Sequence, residues 1–505
     1  MIFGQALKLK VSKETADKLV SGSKVHGMSA HMTADTRISE TFFDNARYGF
    51  FKSGITFNLR VEGGEHTQVV RQSHGDAIET VWTTPLSPHI QTLVLSDVWA
   101  ADLGLKPRTT PPGRRIFTSD FRQRSFEMSR KKAGFTVNIK QGELRIAGPV
   151  FKNVAEPFID MELMPVSGSE TVLFDFALEL VEAAGARIQP DTRISRGFAL
   201  ASRSLQKAHS KAKKVKLEPA MSVGEALETI VQNTVSHLLD NQTAALRGDV
   251  NGVHQTRVAM RRLRAALRAF KAVLPYEGRK AFNGELRWFQ QRTGPARDWH
   301  VFADETLPRL KPSDVSAEEM AVLRKLAAQE GKMHGQEAAL LLQSRRYTRL
   351  LLRFGRWVGE LFEDDRYEGL KGPVVPFARK TLAKTHRDLL RTIKDARPGV
   401  IEDLHKVRIR GKKARYAGEF FAVLFDGEDA QAYISLVEDL QDRLGAANDA
   451  RVARGLVAEL EHGKLMPGTN DGIQSWSSRR VAKCVDQARP TLRALHTVQK
   501  FWKKT

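Results

Sequence analysis

The spacing of apolar residues along this chain changes character once, near residue 203. Before it, a period of two prevails. In residues 41–64, TFFDNARYGFFKSGITFNLRVEGG, alternating runs close on Gly63-Gly64, which predicts a hairpin. Residues 134–148, GFTVNIKQGELRIAG, predict two short strands around a turn at Gln141-Gly142. Residues 157–166, PFIDMELMPV, alternate, with Phe158, Asp160, Glu162 and Met164 on one face and Ile159, Met161 and Leu163 on the other. Residues 170–185 switch to helical spacing and stop at Gly185. Residues 1–203 therefore read as an α+β domain rich in strand.

Residues 204–221 are basic, poor in large apolar side chains and contain Pro219, the composition of a linker. From 222 to 505 the spacing is helical, broken by short clusters such as LPYEGR, RTGPARD and EGLKGPVVP. This all-α region repeats itself at an offset of 151 positions: His254 meets His405, Arg257 meets Arg408, Arg261 meets Lys412, Arg262 meets Lys413, Arg264 meets Arg415 and Phe270 meets Phe421. The register continues through Gln290 and Gln441, Gly294 and Gly445, and Asp298 and Asp449. Such a period is too long for a solenoid and predicts two similar bundles about a pseudo-twofold axis. Asp298 and Asp449, just beyond a glycine, read as helix caps.

Charge sharpens this division. The net charge is +22, and residues 1–200 hold 25 basic against 22 acidic side chains, leaving 55 against 36 in the remainder. The helical region is thus the part that attracts polyanions. The single cysteine, Cys484, permits no disulfide within the chain and fits a reducing compartment. The opening MIFGQALKLKV lacks the apolar core of a signal peptide, and no segment is apolar over the length of a membrane span. A cytoplasmic protein is expected.

At 100° per residue, His254, Arg257, Arg261, Arg264 and Arg268 share a narrow arc, opposite Ala259, Leu263, Ala266, Leu267, Phe270 and Leu274. In the second copy, His405, Arg408, Lys412 and Arg415 lie opposite Val407, Ala414, Ala417 and Phe421. Arg410 falls toward the apolar side, and Glu419 stands where the first copy has Arg268. Lys380, Lys384, Arg387, Arg391 and Lys394 form another stripe, as do Arg345, Arg349, Arg353 and Arg356. Like charges one turn apart repel by roughly 0.2–0.5 kcal/mol per pair, so unneutralised stripes call for an anion. Arginine forks donate paired hydrogen bonds to phosphate, and a row of them can hold a linear polyanion without reading any sequence.

The pattern His254-x-x-Arg257-Val258-x-x-Arg261-Arg262-x-Arg264 through Phe270, its copy from His405, and the segment LQDRLGAANDARV resemble the CHAD family (conserved histidine α-helical domain) over about 222–505. That resemblance implies two pseudo-twofold-related four-helix bundles with a basic surface for inorganic polyphosphate. It maps the ligand role onto His254, Arg257, Arg261, Arg262, Arg264, His405, Arg408, Lys412, Lys413 and Arg415; the stripes add Arg268, Lys384, Arg387 and Arg391.

Residues 1–203 resemble a degenerate CYTH domain, the triphosphate tunnel fold, through FFDNARYGFFKSGITFNLRV, FIDMELM and RISRGFAL. This implies a closed antiparallel β-barrel that binds short phosphate chains through Lys8, Arg60, Arg71, Arg193 and Arg196, and a metal through Asp160 and Glu162. The family opens on Glu-x-Glu-x-Lys, whereas GQALK places Gly4 and Ala6 at the glutamates and keeps only Lys8. The loss of two carboxylates speaks against metal-assisted hydrolysis.

The expected function is polyphosphate binding without a cofactor, on polyphosphate granules. The alternative is a triphosphatase or polyphosphatase using magnesium or manganese in the barrel. A third reading is non-specific nucleic-acid binding, although the basic arcs carry no interleaved aromatics for base stacking.

Overall fold

The computed structural model describes residues 2–503 apart from 23, 26–27, 75–77, 88–92, 94–101, 104–112, 131–132, 147–153, 207, 398–399, 426, 461–464 and 466–467. It forms two compact units. One joins Phe3–Ala208 to Ser344–Glu363, and the other joins His209–Gln343 to Asp364–Thr505.

The first unit begins with β1 (Leu7–Lys10), α1 (Lys13–Ser21), β2 (Lys24–Val25), β3 (Met28–Asp44), α2 (Gly49–Lys52), β4 (Ile55–Glu62), β5 (Glu65–His74) and β6 (Ile78–Leu86). It continues with β7 (Arg114–Arg130), β8 (Ala133–Ile146), β9 (Ala155–Ser167), α3 (Thr171–Ala184), β10 (Arg187–Ile188) and α4 (Arg193–Ala201). The strands make an antiparallel sheet in the order β10-β1-β9-β8-β7-β3-β4-β5-β6, with β2 beside β3. The expected closed barrel is not formed: β6 and β10 end the path and do not pair among the described residues. Two-residue β10 offers little ladder for closure, and Pro85 removes a donor from β6.

Glu62 pairs with Glu65 around Gly63-Gly64, whose φ angles of 57° and 88° suit a tight hairpin turn. The expected turn at Gln141-Gly142 is absent. β8 runs unbroken through both residues, and Gly142 lies opposite Phe121 of β7. A Cβ there would stand 2.1 Å from the Asp120 carbonyl oxygen and 2.5 Å from the Phe121 Cβ. The glycine permits a close strand approach rather than a reversal. Phe42 and Phe117 stack at 4.4 Å between centroids within a core that includes Phe121, Phe158 and Phe198.

The helical part of the chain runs α5 (Val223–Leu246), α6 (Val250–Ala269), α7 (Tyr276–Arg292), α8 (Gly294–Val301), α9 (Ala317–Leu342), α10 (Arg345–Glu363), α11 (Val374–Asp395), α12 (Ile401–Phe421), α13 (Gly427–Leu460) and α14 (Thr469–Thr497). Helix α10 belongs to the first unit, where it packs on α3. The others form the second unit. Val223 and Val374, Val250 and Ile401, and Tyr276 and Gly427 each begin helices 151 positions apart. The first bundle comprises α5, α6, α7 with α8, and α9; the second comprises α11, α12, α13 and α14.

Local chemistry fixes several starts. Ser222 and Glu225 form a reciprocal capping box on α5, as Ser316 and Glu319 do on α9, and the Asp249 carboxylate accepts from the Gly252 N–H to open α6. The apolar arcs of α6 and α12 are buried, Leu263, Leu267, Val407 and Phe421 among them; full burial contributes roughly 1.5–3 kcal/mol per large side chain.

Two hydrogen bonds record the symmetry directly. The Val223 N–H donates to the Gly372 carbonyl at 2.8 Å, and the Val374 N–H donates to the Met221 carbonyl at 3.0 Å. Each donor and acceptor is exchanged with its counterpart by the repeat. One departure breaks the symmetry. α13 is continuous where the first copy divides into α7 and α8 at Thr293. Pro295, aligned with Ala446, has no N–H to continue α7 and its ring collides with the preceding turn.

Candidate anion-binding site

The second unit contains a cavity of about 870 Å³ walled by α6, α11 and α12, with Arg279 and Gln290 of α7. Its wall carries eleven lysines and arginines against one carboxylate, Asp388. Of the residues read from the sequence, Arg261, Arg264, Arg268, Lys384, His405, Arg408, Lys412 and Lys413 line it. His254, Arg257, Arg262, Arg387, Arg391 and Arg415 are not among the wall residues.

Electrostatics at the centre is repulsive. Burial, with Arg408, Arg261 and Arg415 nearby, lowers the Lys412 ammonium to about 7. Burial and the neighbours Arg410 and Arg268 bring Lys413 to about 8. Burial lowers Arg264 to about 10, helped by Arg268 and Arg287, while its fork donates to the side-chain carbonyls of Asn283 and Gln290. Burial and Arg408, Arg451 and Lys412 also push His405 down. A phosphate oxygen entering here would reverse these shifts, because an opposite charge favours each protonated form.

Four of the six remaining candidates have other partners. Ending α7 at Thr293 leaves the Gln290 carbonyl outside an unbroken ladder, and the Arg257 fork donates to it and to the Thr293 hydroxyl. In the second copy Gln441 lies inside the unbroken α13, and Arg408 lines the cavity instead. Arg262, only 3% exposed, donates to Asn233 at 3.0 Å and covers the Phe420 ring at 5.8 Å. Arg415 faces Glu419 at 3.2 Å. His254 is held to about 4 by burial and by Arg297, Arg261 and Arg257. Arg391 reaches Asp388 at 3.5 Å, and Arg387 is exposed.

Three residues differ from the expectation drawn from the sequence. Arg410, expected toward the apolar side, lines the cavity and faces Asp388 at 3.6 Å. Asp298 and Asp449 are not helix caps, because both lie inside helices, α8 and α13. Burial raises both, opposed chiefly by Arg257 for Asp298 and Arg408 for Asp449. Lys271 and Arg279, also in the wall, lie outside the stripes and have no periodic signal of their own.

The stripe on α10 serves the first unit. Arg349 pairs with Glu182 at 2.6 Å and Arg356 with Asp175 at 2.5 Å, both on α3.

In the sheet unit, the proposed phosphate ligands meet the protein's own acids. Glu40 is fully buried, with Arg60 at 3.4 Å, Arg71 at 3.7 Å and Arg193 in direct contact. Burial disfavours its charge, but Arg193, Arg71 and Arg60 outweigh that and hold Glu40 below the usual carboxylate range. Arg196 pairs with Asp160, and Lys140 with Glu162 at 2.6 Å. Lys8 sits opposite Glu162 in the register of β1 and β9. Burial raises Asp160; it acts likewise on Glu162, where Lys140 and Lys8 prevail and lower it. Among the described residues, no three His, Cys, Asp or Glu side chains gather where a metal could be held. These engaged carboxylates do not fit a hard divalent cation, which takes six or more clustered oxygen ligands.

No curated protein matches the chain. A putative adenylate cyclase from Bacillus halodurans is 16% identical over 39% of this chain and 97% of its own, with a TM-score of 0.27. A putative adenylyl cyclase from Hippeastrum, described as having a dominant triphosphatase activity, is 12% identical over 38% of this chain and 93% of its own, with a TM-score of 0.25. The CHAD domain model matches residues 229–458, which include α6, α12 and every residue of the cavity wall. The CHAD domain from the plant Ricinus communis is 31% identical over 58% of this chain and 99% of its own, with a TM-score of 0.50. With nearly all of that domain accounted for, and the helices duplicated in register, the chain belongs to the CHAD family.

Proposed function

We propose that the helical unit binds inorganic polyphosphate, a flexible polyanion without bases or shape to read. The observation that carries this reading is the cavity wall, with eleven cationic side chains and only Asp388 in opposition. Hydrogen bonds to charged groups contribute about 1.5–3 kcal/mol each, so a few phosphates on Arg261, Arg408 and Lys412 suffice for tight binding. No aromatic face is offered for base stacking from the basic arcs. Phe377 and Tyr416, which do line the cavity, pack on Phe270 and on Phe420 respectively. This favours polyphosphate over single-stranded nucleic acid. Association with polyphosphate granules in the cytoplasm follows from such binding. Among the described residues, no helix is long and apolar enough to cross a membrane.

The test is calorimetric titration of the full chain with inorganic polyphosphate at several salt concentrations, beside Arg261→Ala/Arg408→Ala/Lys412→Ala. Affinity should fall steeply with salt, and the triple variant should lose most of it with a shallower salt slope. Equal affinity in the variant, or displacement of polyphosphate by DNA at matched charge, overturns the reading.

A further inference from the structure

The repeat relates each cavity residue to a counterpart, and the counterparts build no second copy of this wall. Lys380 and Lys384 of α11 align with Thr229 and Asn233 of α5. Arg268, Arg410 and Lys413 align with Glu419, Ala259 and Arg262. The first five are cations in the wall of the cavity. Their counterparts are engaged by the protein's own groups or carry no charge. Arg262 is buried against Asn233 and Phe420, Ala259 is fully buried, and Thr229 donates to the Glu225 carbonyl at 2.8 Å within its own helix. Glu419 turns to Arg415, the counterpart of Arg264. The two halves thus differ: one presents these positions as cations in a cavity wall, and the other has them as neutral, acidic or internally paired side chains.

We infer that a polyanion leaves the central cations Arg261, Arg408 and Lys412 by one route only, along α11 past Lys384 and Lys380, and that the equivalent route along α5 is sealed. The inference rests on the polyphosphate reading and adds a direction to it. A short anion fills the centre, and only a longer chain reaches the α11 arm. From Lys380 to Lys384 the helix rises about 6 Å, so successive phosphates can meet successive lysines.

The two arms are separated by a matched pair of charge reversals in the full chain, Lys380→Glu on the open side and Thr229→Glu at its counterpart. Each is titrated with inorganic tripolyphosphate and with long-chain inorganic polyphosphate. Lys380→Glu should weaken the long chain at least about tenfold, the effect of losing one charge-assisted contact, and change tripolyphosphate less than about twofold. Thr229→Glu should leave both nearly unchanged. Equal weakening by both substitutions, or no effect of Lys380→Glu on the long chain, overturns the one-sided route. Circular dichroism of both variants confirms folding, and Lys380→Ala/Lys384→Ala repeats the test without an added charge. If the unaltered protein shows no salt-dependent affinity for either anion, it is the polyphosphate reading itself that fails.

Discussion

Phe270 and Phe421 touch across the pseudo-twofold axis, with ring centroids 5.8 Å apart and planes at 44°. They hold the same position in the two repeats, and both are fully buried. Phe377 completes the cluster at 5.0 Å from Phe270. Phe270→Ala or Phe421→Ala should cost about 3–5 kcal/mol, because the lost ring leaves a cavity between bundles that cannot collapse independently. Denaturant unfolding of the helical unit measures this, and a double-mutant cycle should return a coupling of roughly 0.5–1.5 kcal/mol for the ring pair.

Lys412 predicts a proton-linked affinity. Its ammonium titrates at about 7 in the free protein because of burial and the adjacent Arg408 and Arg261. Bound phosphate favours the charged form, so the pKa rises on binding. Affinity should decline as the pH climbs from 7 through 8 and 9, where binding must bring a proton with it. Calorimetry in buffers of different ionisation enthalpy reads that uptake directly. Lys412→Arg should make the profile shallower, leaving the part carried by Lys413.

Acid should loosen the helical unit through two buried histidines. His237 and His386 are each 3% exposed, and burial holds both at about 4. One ring nitrogen of His237 lies 3.1 Å from the Ser210 carbonyl, and one of His386 lies 3.3 Å from the Tyr433 hydroxyl. The unfolded chain takes up these protons near pH 6.5, before the folded one does. Stability is therefore intact above that pH and declines as pH falls toward 4. Thermal melts across this window should show the loss, and His237→Gln should reduce the slope.

Glu40 predicts the behaviour of the sheet unit. Removing a carboxylate buried among three arginines leaves uncompensated charge, a change that typically costs about 3–5 kcal/mol. Glu40→Ala should lower the unfolding midpoint of this unit, followed by hydrogen exchange of β3 and β4. Added sulfate or tripolyphosphate should recover part of the loss by standing in for the carboxylate. No recovery would mean that Arg60, Arg71 and Arg193 are not accessible to anions.

Much of this arrangement was legible in the sequence because helices carry their geometry in their spacing. The offset of 151 located both bundles, and the apolar arc that ends at Phe270 identified the buried faces of α6 and α12. What projection lacked was the neighbour. Arg262 and Arg264 are two residues apart on one helix, but only Arg264 lines the cavity, since Asn233 and Phe420 receive Arg262. Spacing alone turns Arg410 toward the apolar side, and only Asp388 on the neighbouring α11 reveals its place in the wall. In the sheet unit, Gly142 carries the composition of a turn, and only the facing strand reveals that its missing side chain makes room for Asp120 and Phe121. Glu40 had no motif at all, because its role comes from arginines on β4, β5 and α4.

The division of α7 from α8 carries a lesson about duplicated proteins. Tandem copying gave this domain two arginines for one post, Arg257 and Arg408. Where Pro295 interrupts the helix, one of the pair is scaffolding that secures the end of a helix backbone, while its twin lines the cavity. Two halves of one domain can thus put the same side chain to separate uses, one as support for backbone and one in the wall of a cavity.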